Sequence, residues 1–77
     1  MELGQLEAFL VAVRLHSFSR AAEAIGVTQP SLSARILALE AELEEPLFHR
    51  IGRGVRLTDA GRAFLPYVQR AMDTLQT

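Results

Sequence analysis

The stretch around Gly26 constrains this chain more than any other. Before it, Arg20 to Ile25 carries a short helical pattern built on Ala21, Ala22 and Ile25. After it, Thr28 offers an N-cap hydroxyl and Pro30 falls in the first turn, where a missing N–H does no harm. Leu32, Ile36, Leu39 and Leu43 then mark the buried stripe of a second, longer helix. So short a glycine link forces the two helices to cross steeply, and Ala21 and Ala22 let them approach. Ile25, Val27, Leu32 and Ile36 supply the apolar wedge between them. The pattern is that of a helix-turn-helix.

The flanking segments complete the frame. Leu3, Leu6, Leu10 and Val13 follow a three-four spacing that Phe9 broadens, predicting a first helix. Its middle, Ala8 to Val13, is apolar all round, which asks for cover on more than one side. One side is expected to lie on this domain and the other against something else. His16-Ser17-Phe18-Ser19 interrupts the pattern with two candidate N-cap serines. Pro46 is expected to end the long helix. Leu47 to Arg50 and Val55 to Leu57, joined by Ile51-Gly52-Arg53-Gly54, read as a small hairpin. Thr58-Asp59 places a hydroxyl cap and a carboxylate at the start of a last helix, which Pro66 should bend. The predicted fold is mainly α: a winged helix-turn-helix, with a three-helix core, a two-stranded wing and a C-terminal helix. The ligand such a fold serves is duplex DNA.

Charge alone argues otherwise, because the 77 residues carry a formal net charge of −1. Its distribution reverses that argument. All eight basic residues are arginine. Arg50, Arg53, Arg56 and Arg62 stand against Asp59 alone, a local +3, while Glu40, Glu42, Glu44 and Glu45 form a local −4. Two opposite patches cancel in the total and hide an anion-binding face. With no cysteine and only His16 and His49, far apart, the chain shows no metal or thiolate site. Nor does it show a paired carboxylate, a nucleophile with its base, or a phosphate loop. No enzyme activity and no cofactor are expected. Ala8 to Val13 is far too short to span a membrane and the start has no basic leader region, so a soluble, cytoplasmic protein without a membrane partner is expected.

Several stretches carry a family resemblance. Ser17-Phe18-Ser19-Arg20-Ala21-Ala22, Val27 to Ser33, Leu39-Glu40, Pro46 to Arg50, and Leu57-Thr58-Asp59-Ala60-Gly61 resemble, in order and without gaps, the DNA-binding domain of LysR-type transcriptional regulators. The likeness runs from about Leu3 to Tyr67. It implies a winged-helix DNA-binding domain over residues 1–58 and a linker or dimerisation helix over 59–77. It further implies sequence-specific binding to double-stranded DNA as a homodimer reading two half-sites. In that family a separate effector-binding domain takes the small-molecule effector, and that domain is expected to be absent from this chain. The N-terminal domain of metal-oxyanion-responsive regulators is similar too, and that reading stays open at this point. So does a protein-interaction module using the acidic patch and the last helix.

Candidate DNA-binding residues follow from residue chemistry beside that resemblance. The helix start at Thr28 suits a phosphate. Gln29 can pair bidentately with adenine, and Pro30 can touch a thymine methyl. Ser31 and Ser33 are expected to face the groove. Ala34 stands where many relatives carry a basic or polar residue, and Arg35 follows it; phosphate and base edge both stay open for Arg35. Leu37, at a position often basic in relatives, is expected to pack against another part of the fold. Ser17, Ser19 and Arg20 suit a backbone clamp. Arg53, between two glycines, is the wing-tip arginine for a minor groove or phosphate. Arg56 points outward to phosphate, and Arg50 is expected to pair in part with an acid. Glu40 is expected to pair with an arginine and hold the wing or first helix, with Glu42, Glu44 and Glu45 facing away from DNA. His16 and His49 read as surface or packing residues. In the last helix, Phe64, Val68, Ala71 and Leu75 form a coiled-coil-like seam and Leu65 and Met72 a second stripe, the expected dimer contact.

Overall fold

In the computed structural model, which describes residues 1–76, six elements follow one another: α1 (Leu3–Leu15), α2 (Phe18–Ile25), α3 (Gln29–Leu43), β1 (Phe48–Ile51), β2 (Gly54–Leu57) and α4 (Asp59–Gln76). Thr77, the last residue of the expected final helix, lies outside the described residues. The order is the one expected, with the start of α2 shifted. α2 begins at Phe18 because Ser17 is the cap, its Oγ accepting from the Arg20 N–H at 3.1 Å. Ser19 lies inside the helix. α3 ends at Leu43, as expected, ahead of Pro46, and the left-handed backbone of Glu44 (φ 57°) closes its last turn.

α1 is the central element, touching α2 and α3 as well as β2 and α4. Its fully buried residues are Ala8, Phe9 and Ala12, whereas Leu3 is 55% exposed. The expected leucine stripe therefore flanks the contact line and does not form it. Ala8 and Ala12 put small side chains beside Phe9 on the buried line of α1, and Leu6, Leu10 and Val13 pack at its margins. Most of the cover for α1 thus comes from its own chain. Phe9 meets Phe48 at 5.5 Å and Phe64 at 5.4 Å between ring centroids, and Phe18 meets Phe48 edge-on at 5.3 Å. Gly26 makes the turn between α2 and α3 at φ 76°, a conformation costly for any residue with a Cβ.

The hairpin pairs Phe48 with Leu57 and Ile51 with Gly54, one residue further toward the tip than expected, leaving Gly52-Arg53 as the loop. Backbone bonds fasten it at three places. Glu40 does not pair with an arginine: its Oε2 accepts from the Leu47 N–H at 2.6 Å and the Phe48 N–H at 3.3 Å. A carboxylate satisfies two strand-entry donors that α3 and the sheet leave unpaired. The His16 carbonyl, at the end of α1, accepts from Val55 N–H at 3.0 Å. Thr58, 6% exposed, donates to the Pro46 carbonyl at 2.6 Å and accepts from Gly61 N–H at 3.0 Å, capping α4 while tying it to the strand entry. A Cβ on Gly61 would lie 2.3 Å from the Leu47 carbonyl oxygen, so α4 can approach this closely only with glycine there.

The first turns of α4 belong to the core. Val68 is 1% exposed and Phe64 packs edge-on against Phe9, so neither is free for an external seam. Leu65 and Met72 are half-buried against the core, while Ala71 and Leu75 are exposed. The four-three-four spacing is real, but its N-terminal half is spent inside the chain.

This packing sets two expected stability outcomes. Phe9→Ala should cost about 3–5 kcal/mol by urea denaturation, enough to unfold much of so small a domain, and Val68→Asp should abolish cooperative melting. Glu40→Ala should cost about 1–3 kcal/mol because the buried Leu47 N–H is left without an acceptor, with Glu40→Gln recovering part of that. Equal destabilisation in the Ala and Gln variants would show that the carbonyl-type acceptor is not what matters.

Candidate nucleic-acid interface

α3 turns one line of side chains inward, Leu32, Ile36 and Leu39, and the opposite line outward: Pro30, Ala34, Leu37, Ala38 and Ala41. Leu37 does not pack into the fold; it is 63% exposed. Its position lies more than a third of a turn around α3 from the core line, where its side chain borders the wing side of the helix and stays open to solvent. Gln29, the first helical residue, is exposed, and the Ser19 hydroxyl donates to its Oε1 at 2.9 Å. That bond bridges α2 to the entrance of α3 and orients the amide. The carbonyl oxygen keeps a second lone pair and the NH₂ keeps both donors, so the pattern needed for an adenine edge survives. Thr28 caps the helix, its Oγ1 accepting from Ser31 N–H at 3.2 Å.

Other expected contacts are moved or removed. Arg35 is half-buried and turned toward α1, with Nη1 donating to the Gly4 carbonyl at a long 3.4 Å. It lies on a different side of α3 from Leu37 and is not brought to the outward face. Ser31 leans the same way, bordering an open groove with Glu2, Gly4 and Gln5. Ser33 stays near the outward face. With Leu37 on α3, Phe18 on α2 and Arg50 on the wing, it borders a shallow cleft of about 60 Å³.

On the wing, pairing register places Phe48, Arg50, Val55 and Leu57 on the inner face and His49 and Arg56 on the outer. Arg50 finds no acid; its guanidinium lies over the Phe18 ring, 5.0 Å from the centroid. The ring gives the charge a favourable seat without neutralising it, so Arg50 keeps its positive field beside α3. Arg53 at the tip and Arg56 are exposed, as is Arg20 on α2. Arg62, counted in the basic run, is used locally through Asp59 and the Leu57 carbonyl. The acidic run is also partly consumed: Glu40 binds the strand entry, and Glu42 binds the Met1 amino group at 2.5 Å. Ser17 is committed as the α2 cap, and its half-buried hydroxyl sits beside Arg20.

The arrangement can present one amide with fixed orientation, a helix N-terminus and an apolar face, with arginines on the adjoining elements. Residue spacing missed two of these features. The Ser19–Gln29 bond joins side chains ten positions apart across the turn, and only the crossing angle of α2 and α3 brings them together. The exposure of Leu37 was readable from its helical phase, since it stands opposite Leu32, Ile36 and Leu39; its hydrophobicity alone pointed the wrong way.

Comparison with known proteins agrees with this geometry. Residues 3–62 match the family of bacterial regulatory helix-turn-helix proteins, lysR family. An uncharacterised HTH-type transcriptional regulator of Azotobacter vinelandii is 49% identical over 76 residues, covering 99% of this chain and 53% of that protein. The HTH-type transcriptional regulator BudR of Klebsiella aerogenes is 52% identical over 64 residues, covering 83% of this chain and 45% of BudR. The chain thus spans about half the length of these two relatives. The fold superposes on the DNA-binding domain of CbnR in its DNA complex with a TM-score of 0.94 at 36% identity, covering 99% of this chain and 87% of that one. The BenM DNA-binding domain, in complex with catB site 1 DNA, gives 0.93 at 36% identity, covering 99% and 84%. With the match spanning most of its length and the fold reproduced in full, this chain belongs to the LysR family of bacterial regulatory helix-turn-helix proteins.

Proposed function

We propose that this chain binds double-stranded DNA sequence-specifically in transcription regulation, with α3 in the major groove and the wing over the neighbouring backbone or minor groove. The observation that carries the reading is Gln29: exposed at the first position of α3, oriented by Ser19, and on a helix whose outward residues Pro30, Ala34, Leu37, Ala38 and Ala41 are exposed among the described residues. An α-helix fits the major groove, where a glutamine amide can match adenine N6 and N7. The Thr28 helix start and Arg20 serve phosphates, Ser33 supports Gln29 within the groove, and Arg50, Arg53 and Arg56 supply the wing's positive field. DNA complexes of CbnR and BenM, so similar in fold, support the same docking. No helix among the described residues is long and apolar enough to cross a membrane, and binding to bacterial DNA is a cytoplasmic function.

The reading includes a homodimer through the C-terminal helix, with a smaller contact than the spacing alone predicts. On the distal half of α4, Ala71 and Leu75 are exposed, and Met72 lines a groove of about 480 Å³ together with Leu10, Val11 and Gln69, with Glu7, Arg14 and Asp73 at its edges. A second α4 is a suitable cover for these apolar positions, and two linked domains then read two half-sites. Leu75→Asp combined with Met72→Asp should convert dimer to monomer in sedimentation equilibrium while most of the melting transition is retained. An unchanged dimer would put the contact elsewhere.

Titration of cognate and scrambled duplexes at several salt concentrations separates positioning from reading. Arg53→Ala should weaken both duplexes by similar factors and make the salt slope shallower, by about one unit for each phosphate the variant no longer neutralises. Gln29→Ala should leave the slope nearly unchanged and cost about 1–3 kcal/mol on the cognate duplex only. A salt-independent affinity in the unmodified chain would overturn the DNA-binding reading.

A further inference from the structure

We infer that Leu37 is a specificity-determining residue that reads the 5-methyl group of thymine in the major groove. The inference rests on the DNA-binding reading above and adds a base and a chemical group to it.

Leu37 is one of the few large hydrophobic side chains left exposed, at 63%, and the one on α3. An exposed leucine is ordinary on a protein surface. Its surroundings are what make this one informative. It stands seven residues, about two turns, after Pro30 and four, about one turn, after Ser33, so all three share a side of the helix. Ser33, Leu37 and Arg50 border one shallow cleft, which fixes Leu37 on the side of the molecule that carries the wing arginine. The neighbours of Leu37 on the outward face are Ala34, Ala38 and Ala41. None of these alanines extends past Leu37, so it is the furthest-reaching side chain along the middle of that face.

The charged side chains nearest to it are committed elsewhere or come from the wing, as Arg50 does across the cleft. Arg35 is turned to Gly4, and Glu40 is bound to the strand entry. Beyond Ser33, the outward line of α3 (Ala34, Leu37, Ala38, Ala41) therefore has neither a cation for phosphate nor a polar group for a base nitrogen or oxygen. The one major-groove feature that an aliphatic side chain can recognise is the thymine methyl. Gln29 and Leu37 stand about 12 Å apart along the helix axis, at 1.5 Å per residue, a span of about three to four base steps. The half-site is accordingly read at two places by two chemistries: an adenine edge at the helix entrance and a thymine methyl near its middle. Apolar contact adds no charge, so this part of the recognition is independent of salt.

The test uses the full chain and a duplex recovered by selection from a random pool. Each thymine is replaced in turn by deoxyuridine, which keeps base pairing and removes only the methyl. At one thymine per half-site, beyond the position that responds to Gln29→Ala, replacement should weaken binding about fourfold, as removal of one buried methyl implies (~0.8 kcal/mol). Leu37→Ala should bind the thymine duplex about as weakly as the unmodified chain binds the uracil one, and should no longer distinguish them. Its salt slope should be unchanged. Leu37→Met, which keeps aliphatic reach, should retain the distinction. A uracil scan without effect on the unmodified chain would overturn the inference while sequence-preferring binding upheld the DNA-binding reading. An effect that persists undiminished in Leu37→Ala would assign the methyl contact to another residue. Failure to recover any preferred duplex would overturn both.

Discussion

All four phenylalanines of the chain take part in one run of ring contacts, and the rest of the structure hangs on it. Phe64 of α4 meets Phe9 of α1, Phe9 meets Phe48 of β1, Phe48 meets Phe18 of α2, and Arg50 closes the run over Phe18. Four elements are thereby held by side chains that combine large apolar area with preferred tilted geometry. A domain of this size has little core to spare, and with no cysteine in the sequence no disulfide replaces what an aromatic residue supplies. The run also ends usefully: its last member is a cation held beside the face that α3 presents outward.

The wing is attached differently. Its strands bury few side chains, and their position is set by main-chain bonds to Glu40, His16 and Thr58. Each bond joins the hairpin to a different helix: α3 through Glu40, the end of α1 through His16, and the cap of α4 through Thr58. A two-stranded hairpin is marginal on its own, so these anchors decide where the wing arginines lie relative to α3. The acidic residue that looked out of place late in a DNA-facing helix is one of them. Glu40 uses its charge on two N–H groups and stays within the domain.

The element order was legible because every boundary carries a local signal. Ser17, Thr28 and Thr58 each accept from a backbone N–H at a helix start, and Gly26 takes the conformation its turn requires. The local partners of charged residues were not legible. Glu40 and Arg50 were expected to find opposite charges, whereas one binds backbone and the other an aromatic ring. Both real partners lie on elements that come together only after folding. The split of the α4 seam was hidden for the same reason: Phe64 and Val68 have the spacing of a dimer contact, but Phe9 of α1 meets Phe64 and the core buries Val68.

The sequence alone determined the helix-turn-helix, the wing, their order and the residue types offered to DNA, since these depend on caps, turns and apolar period within a few neighbours. Tertiary structure decided which of those residues face outward together. The crossing of α2 and α3 brings Ser19 to Gln29, the packing of α1 draws Arg35 and Ser31 aside, and the same burial of Leu32, Ile36 and Leu39 turns Leu37 to the open face. Side-chain direction on a helix follows from which face the remaining elements cover, and that is settled only when they have all found their places.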